Sequence, residues 1–250
     1  MVPKRHIWTI GCQQYKGRIM RCAPGTHEMA AKMLAGLVPL SSRTIELGIG
    51  SGAFLARLQD MGFRNIEGAD LHLEQCDISG VALQQINFNH PFANHFQHRF
   101  SVAVAIEVVE HLESPRSFLR EVRGLLEDDG YLLLSTPNIA HWMGRLHFLL
   151  TGQLRYFDDR IYYEQRHISV IPNNHVKLLL SEIGFQVVAV RTTGTFLRPF
   201  AQILTSPLSL LGSFLFGNNS NGDVSLYLAQ SCQPDNSTPG QNPDYVRWYS

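Results

Sequence analysis

Residues 43–52 read RTIELGIGSG, and this stretch decides how the chain is built. A short β-branched and apolar run ends in glycines at alternate positions, Gly48, Gly50 and Gly52. The next ten residues, AFLARLQDMG (53–62), have helical spacing and stop at Gly62. NIEGAD (65–70) is a second strand that ends in an acid. Strand, glycine loop, helix and strand form a βαβ unit, which implies a parallel sheet covered on both faces. Glycine lets the backbone pass close to a ligand, and the start of the following helix offers free N–H groups. Asp70, 22 residues beyond Gly48, stands where an acid can accept both hydroxyls of a ribose. The unit therefore predicts a nucleoside-bearing cofactor.

Outward from this unit the alternation continues. THEMAAKMLAGLV (26–38) predicts a helix that starts at Thr26 and stops at Pro39. VALQQINF (81–88) and SVAVAI (101–106) predict strands, and SPRSFLREVRGLLEDDG (114–130) a helix capped by Ser114 with Pro115 in its first turn. YLLLSTPN (131–138) is a strand, NNHVKLLLSEIG (173–184) a helix, and FQVVAVRT (185–192) and VSLYLAQS (224–231) are the last strands. The reading is one α/β domain over 1–232 and a Pro/Asn/Asp-rich, disordered tail over 233–250.

Composition narrows the classes. With 44% hydrophobic and 17% charged residues, a 250-residue chain has enough apolar material for a core. Lys and Arg number 21 and Asp and Glu 21, so nothing drives a general attraction to nucleic acid or anionic membrane. Cys12, Cys22, Cys76 and Cys232 form no CxxC pair and read as free thiols in a reducing compartment. Residues 1–24 contain no apolar signal core, and the expected location is cytoplasmic.

A second constellation lies in AIEVVEHLESP (105–115). Glu107, Glu110 and His111 have the i, i+3, i+4 spacing that puts side chains on one face if a helical turn begins there. Two carboxylates and an imidazole can hold a divalent ion. Equally, His111 can act as a general base with Glu110 orienting it. The glycine loop also satisfies GxGxxA from Gly48 to Ala53, which leaves an NAD-dependent oxidoreductase as a rival. Against it, Tyr162 and Tyr163 are followed four places on by Arg166 and His167 rather than by lysine, and no second mononucleotide half is visible.

Taken together, IELGIGSG, GAD, AIEVVEHL and DDGYLLLSTPN resemble the class I S-adenosylmethionine-dependent methyltransferases over roughly 26–230. The nearest likeness is to ubiquinone-biosynthesis-type O-methyltransferases and their bacterial relatives. The resemblance implies a Rossmann-like, seven-stranded sheet in the order 3-2-1-4-5-7-6 with the last strand antiparallel and helices on both faces. It assigns Gly48, Gly50 and Gly52 to the methionine part of S-adenosylmethionine and Asp70 to the ribose, with Glu46 and Leu71 also counted as cofactor-binding. Asn87, where the family more often has Asp, and Phe88 fall beside the adenine, and Ile106 on the adenine or sulfonium side. Metal-using O-methyltransferases carry the same ExxEH pattern and add a further histidine from the substrate side. That likeness nominates Glu107, Glu110, His111 and His167 as ligands for Mg, Mn or Zn, and Glu110 and His111 as catalytic residues. A catalytically silent, cofactor-binding interaction protein is the reading of another class.

Two segments extend the minimal domain. Residues 139–167 mix Arg145, Arg155, Arg160 and Arg166 with Trp142, Tyr156, Phe157, Tyr162 and Tyr163, either as a cap over a ring or phosphate or as an amphipathic helix with solvated arginines. Residues 196–217 are long and apolar but interrupted by Arg198, Pro199, Gln202 and Pro207, and so are not a membrane span. Packing against the sheet is the favoured expectation for this segment, ahead of peripheral membrane contact or a lid over an apolar substrate. The acceptor is expected to be a small or lipid-like molecule.

Overall fold

The βαβ unit read at 43–70 forms the middle of a seven-stranded sheet. A computed structural model describes residues 13–197, 199–216 and 221–232. A short hairpin, β1 (Gln14–Tyr15) and β2 (Arg18–Ile19), precedes α1 (Thr26–Leu34), β3 (Thr44–Leu47), α2 (Ala53–Asp60), β4 (Ile66–Asp70) and β5 (Ala82–Gln85). Next come β6 (Phe100–Ala105), α3 (Pro115–Leu125), β7 (Leu126–Pro137), α4 (Trp142–Thr151) and α5 (Asp159–Gln165). The chain continues with α6 (Asn173–Ile183), β8 (Phe185–Thr193), α7 (Pro199–Phe216) and β9 (Val224–Ser231). The sheet runs β5-β4-β3-β6-β7-β9-β8. β9 is antiparallel to both neighbours, whereas the other pairings are parallel. Counted within the sheet, this is the expected 3-2-1-4-5-7-6.

The pleat explains why the central strands read as unbroken apolar runs. Leu132 and Leu134 face a core that also holds Phe92, Phe118 and Leu180, whereas Leu133 faces the other core with Leu34, Phe54 and Leu226. Ser114 caps α3 as read, its Oγ accepting from Ser117 N at 3.2 Å, with Pro115 in the first turn.

Some boundaries differ from the sequence reading. The first helix stops at Leu34, not at Pro39, because the chain leaves it through Gly36 at a φ of 72°. Thr26 is buried inside that helix and does not cap it, and Gly25 takes the cap position. The helix expected to reach 130 ends at Leu125. Leu126 is fully buried and already pairs with Phe100, and the register shift before the Val102–Tyr131 pair absorbs the acidic turn. Cys22, Cys76 and Cys232 form no disulfide, as read. The tail at 233–250, together with Cys12 and Arg198, lies outside the described residues.

The segment expected to pack on the sheet forms α7, which among its described side chains turns Ile203, Leu204, Leu210 and Phe214 to solvent. Among the described residues no helix is long and apolar enough to cross a membrane.

His27 gives the fold an acid limit. Its ring is buried edge-on to Phe54, with centroids 5.1 Å apart. Burial, and then the Arg57 charge, lower its pKa from 6.5 to about 4. The unfolded chain therefore binds more protons between those values. This contribution is complete above the unfolded pKa and falls away as the pH drops toward the folded one. At pH 5 the loss is about 2 kcal/mol. His27→Phe should remove that part of the acid sensitivity, read as a smaller drop in unfolding free energy by urea titration from pH 7 to pH 5. An unchanged drop would show that His27 does not set the limit.

Candidate functional site

The site is built where β3, β4 and β6 end. Gly48, Gly50 and Gly52 all have positive φ, at 84°, 51° and 77°. A Cβ on Gly48 would lie 2.4 Å from Val108 Cγ2, so only glycine lets the loop and the turn after β6 meet. A Cβ on Gly50 would meet nothing within 4 Å, which leaves this side of the loop open to a ligand. Asp70 holds the loop, its Oδ2 accepting from Gly50 N at 2.8 Å while Oδ1 accepts from His72 N at 2.9 Å.

Glu46 lies buried on β3, and its Oε2 has no hydrogen-bond partner. Burial and the Asp70 charge push its carboxyl well above the usual range, with the Leu55 N–H acting the other way. Leu71 is exposed beside Asp70, and Ile106 is buried at the end of β6. Asn87 is exposed, but its Oδ1 closes a local turn by accepting from Asn89 N at 3.0 Å. Phe88 is packed in the core, 5.0 Å from the Phe92 ring and 5.5 Å from that of Phe118.

The turn after β6 is not the helical face read from the i, i+3, i+4 spacing. Glu107 has a φ of 53°, and only Val109–His111 form a short 3-10 turn. Glu107 is not among the residues whose ligand atoms come together, although its charge acts on Glu110. Ser135 Oγ donates to its Oε1 at 2.7 Å and accepts from its N–H at 2.9 Å. Burial raises the Glu107 carboxyl to about 7 against the pull of that hydroxyl. The residues that converge are instead Glu110, His111 and His167, whose ligand atoms all lie within 4.8 Å of one another.

Main-chain atoms assemble this trio. Glu110 O accepts from Ile168 N at 2.8 Å and Ser169 N at 3.0 Å, which brings His167 against the turn. The His111 and His167 rings meet edge to face at 4.8 Å. His111 Nδ1 faces the Arg166 carbonyl at 3.3 Å, and His167 Nδ1 faces that of Tyr156 at 2.9 Å. Each Nδ1 therefore donates, and each Nε2 keeps a lone pair. Burial lowers both imidazole pKa values, that of His167 to about 4. Glu110 is fully buried, and neither oxygen makes a hydrogen bond of acceptable geometry. Burial first, and then Glu107, push its carboxyl well up. Glu110 thus does not orient His111 through a hydrogen bond, contrary to the sequence reading; the Arg166 carbonyl takes that position. Ser135, Val108 and the two carbonyls were missed by sequence reasoning. Backbone acceptors have no sequence signature, and STP at 135–137 reads simply as the end of a strand.

Residues 16–190 match a family model described as a methyltransferase domain. The chain belongs to this family. As a methyltransferase-domain protein its implied cofactor is S-adenosylmethionine, and the nicotinamide reading is set aside. Ubiquinone biosynthesis O-methyltransferases of Cereibacter sphaeroides are 32–33% identical over 126 residues, covering 45% of this chain and 50% of theirs. The chain thus spans about half the length of the curated relatives it matches. An S-adenosylmethionine-dependent methyltransferase from Mesorhizobium loti has a similar structure, with a TM-score of 0.53 at 18% identity over 82% of this chain and 99% of that one. Magnesium protoporphyrin IX methyltransferase from Synechocystis, solved with bound SAH, gives a TM-score of 0.57 at 11% identity over 82% of each chain. At these identities the likeness is one of fold. The residues fit the implied cofactor on one count of their own: S-adenosylmethionine carries an ammonium and a sulfonium, and Glu46 is a buried acid whose Oε2 lacks a partner.

The two glycines should separate folding from binding. In Gly48→Ala the methyl overlaps Val108, which should cost about 1–3 kcal/mol and lower Tm. In Gly50→Ala the methyl enters open space at a backbone cost of about 1–2 kcal/mol. That variant should stay folded while S-adenosylhomocysteine affinity, read by calorimetry, drops roughly tenfold or more. Undiminished affinity would place the cofactor elsewhere.

Proposed function

We propose that this methyltransferase-domain protein transfers the methyl group of S-adenosylmethionine to a hydroxyl oxygen of a small or lipid-like acceptor. The observation that carries this reading is the Glu110–His111–His167 trio, joined to the glycine loop through the Val108–Gly48 contact. Gly48, Gly50 and Gly52 with Glu46, Asp70, Leu71, Asn87 and Ile106 would line the cofactor side. In the transfer the acceptor oxygen bonds to the methyl carbon, the carbon–sulfur bond breaks, and the sulfur leaves as a neutral thioether. The chain must orient the two reactants and receive the hydroxyl proton. His111 can receive it at Nε2, because its Nδ1 is committed to the Arg166 carbonyl. The C. sphaeroides relatives are named for oxygen methylation in ubiquinone biosynthesis, which favours an oxygen acceptor here too.

A divalent ion fits the same trio. Two imidazoles whose Nδ1 atoms are tied to carbonyls, beside a buried carboxylate without a partner, have the chemistry of a ligand set. Glu110, His111 and His167 would hold Mg, Mn or Zn, and Glu107 lies outside the group. When bound, such an ion lowers the pKa of a hydroxyl beside it. With His111 holding such an ion, Glu107, held by Ser135, would be the carboxyl left to take up a proton.

The test combines binding with turnover. The protein should bind S-adenosylhomocysteine and move tritiated methyl into hydroxyl compounds of a fractionated cell extract. Chelation should abolish transfer, with recovery on adding Mg, Mn or Zn. His167→Ala should weaken zinc binding by calorimetry roughly a hundredfold while leaving S-adenosylhomocysteine affinity intact. Chelator-resistant turnover that is lost in His111→Ala would eliminate the ion and keep the base. Tight NAD binding without S-adenosylhomocysteine binding would overturn the methyltransferase reading.

A further inference from the structure

Helix α7 is sorted inside out. Its inward face carries Thr205, Ser209, Gly212 and Ser213, small residues at helical spacing. Gly212 sits so close to α4 that a Cβ would lie 2.8 Å from Trp142 Cβ. Ser209 Oγ donates to Asn221 Oδ1 at 2.8 Å, and Asn221 Nδ2 donates to Ser213 Oγ. The large side chains point the other way: Ile203 is 75% exposed, Leu210 72% and Phe214 86%. On α4, Trp142 and Gly144 are buried, while Leu149 and Leu150 are 80% and 73% exposed. A helix that packs in water buries its bulky apolar stripe and exposes its small polar residues. Here the arrangement is reversed.

Two features identify what covers this surface. Small residues between helices with bulky aliphatic ones outward is the sorting of helices in an apolar medium. Protein–protein interfaces, by contrast, are enriched in Tyr, Trp and Arg and have polar rims. Residues 199–216 include no charged residue at all, so no ion pair awaits a protein partner. No described helix can cross a bilayer, so α7 would lie along it.

The surface also has a fixed relation to the site. α4 follows the end of β7, and α7 connects the end of β8 to the start of antiparallel β9, so both helices stand at the edge of the sheet that holds the site. Asp223 ties the two insertions, pairing with Arg155 at 3.2 Å and accepting from Phe196 N at 2.9 Å.

We infer that the outer faces of α4 and α7 dock this protein on a lipid bilayer surface, with the apolar side chains entering the headgroup–acyl boundary. Because α7 is uncharged and Arg145 is the one charged residue of α4, the attachment is mainly hydrophobic and only weakly sensitive to salt. The inference does not depend on the transfer reaction. It is tested by flotation of the full chain with phosphatidylcholine vesicles, alone and with phosphatidylglycerol added, at 0.1 M and 0.5 M NaCl. Wild type should float with both compositions at both salt concentrations. Ile203→Glu/Phe214→Glu should float at least roughly tenfold less while keeping wild-type circular dichroism and S-adenosylhomocysteine affinity. Failure to bind phosphatidylcholine vesicles, or equal flotation of the double variant, would overturn the inference. So would a dimer in sedimentation velocity that the double substitution dissolves without any vesicle binding, since that would place a second copy on the face.

Discussion

The contact of Val108 with Gly48 is the constraint on which the site depends. One belongs to the turn leaving β6 and the other to the loop leaving β3, and their separation leaves no room for a Cβ. The pairing of β3 with β6 sets the two strand ends side by side, and the glycine closes the gap between the turns. The turn bearing Glu107, Glu110 and His111 is thereby fixed against the loop that Asp70 holds. A cofactor lying on the open side of Gly50 would come close to both. Transfer between two bound groups depends on such proximity far more than on any single side chain.

The same construction concentrates carboxyl groups in a dry place. Glu46, Glu107 and Glu110 are all pushed toward the neutral form, and oxygens of Glu46 and Glu110 lack partners. A buried, unpartnered carboxylate costs free energy in a protein that has little to spare. Such groups persist where a cation or a donor completes them, or where a proton must be moved. Glu46 lies on the glycine-loop side and Glu110 beside the two histidines, so the two unsatisfied acids stand on either side of the Val108–Gly48 contact.

How much of this was legible follows from what each feature rests on. β9 was read to its exact bounds at 224–231 and β8 to within a residue, because a strand is legible in an apolar run bounded by turns. The end of α3 was not legible, since Leu125 and Leu126 both suit a helix and only the pairing of Leu126 with Phe100 decides between helix and strand. The spacing of Glu107, Glu110 and His111 was legible as a pattern but misleading as geometry. A left-handed glutamate carries no local signal, and its conformation is held by Ser135 from a neighbouring strand. His167 entered only through resemblance to a family. What brings it to His111 is the Glu110 carbonyl, a group that every residue possesses.

α7 shows the converse case, in which composition was legible and orientation was not. Its apolar content suggested burial, and a helix of that kind ordinarily buries its stripe. The structure instead uses the serines and Gly212 to let the helix approach Trp142 closely, which leaves Ile203, Leu204, Leu210 and Phe214 pointing outward. Close approach through small residues fixes the helix by packing and side-chain hydrogen bonds without spending its large apolar surface. That surface remains available to a second medium. The Arg155–Asp223 pair then joins the segment after α4 to the residue before β9, which ties this part of the chain to the sheet. A buried pair of this kind is a poor source of stability but sets geometry well.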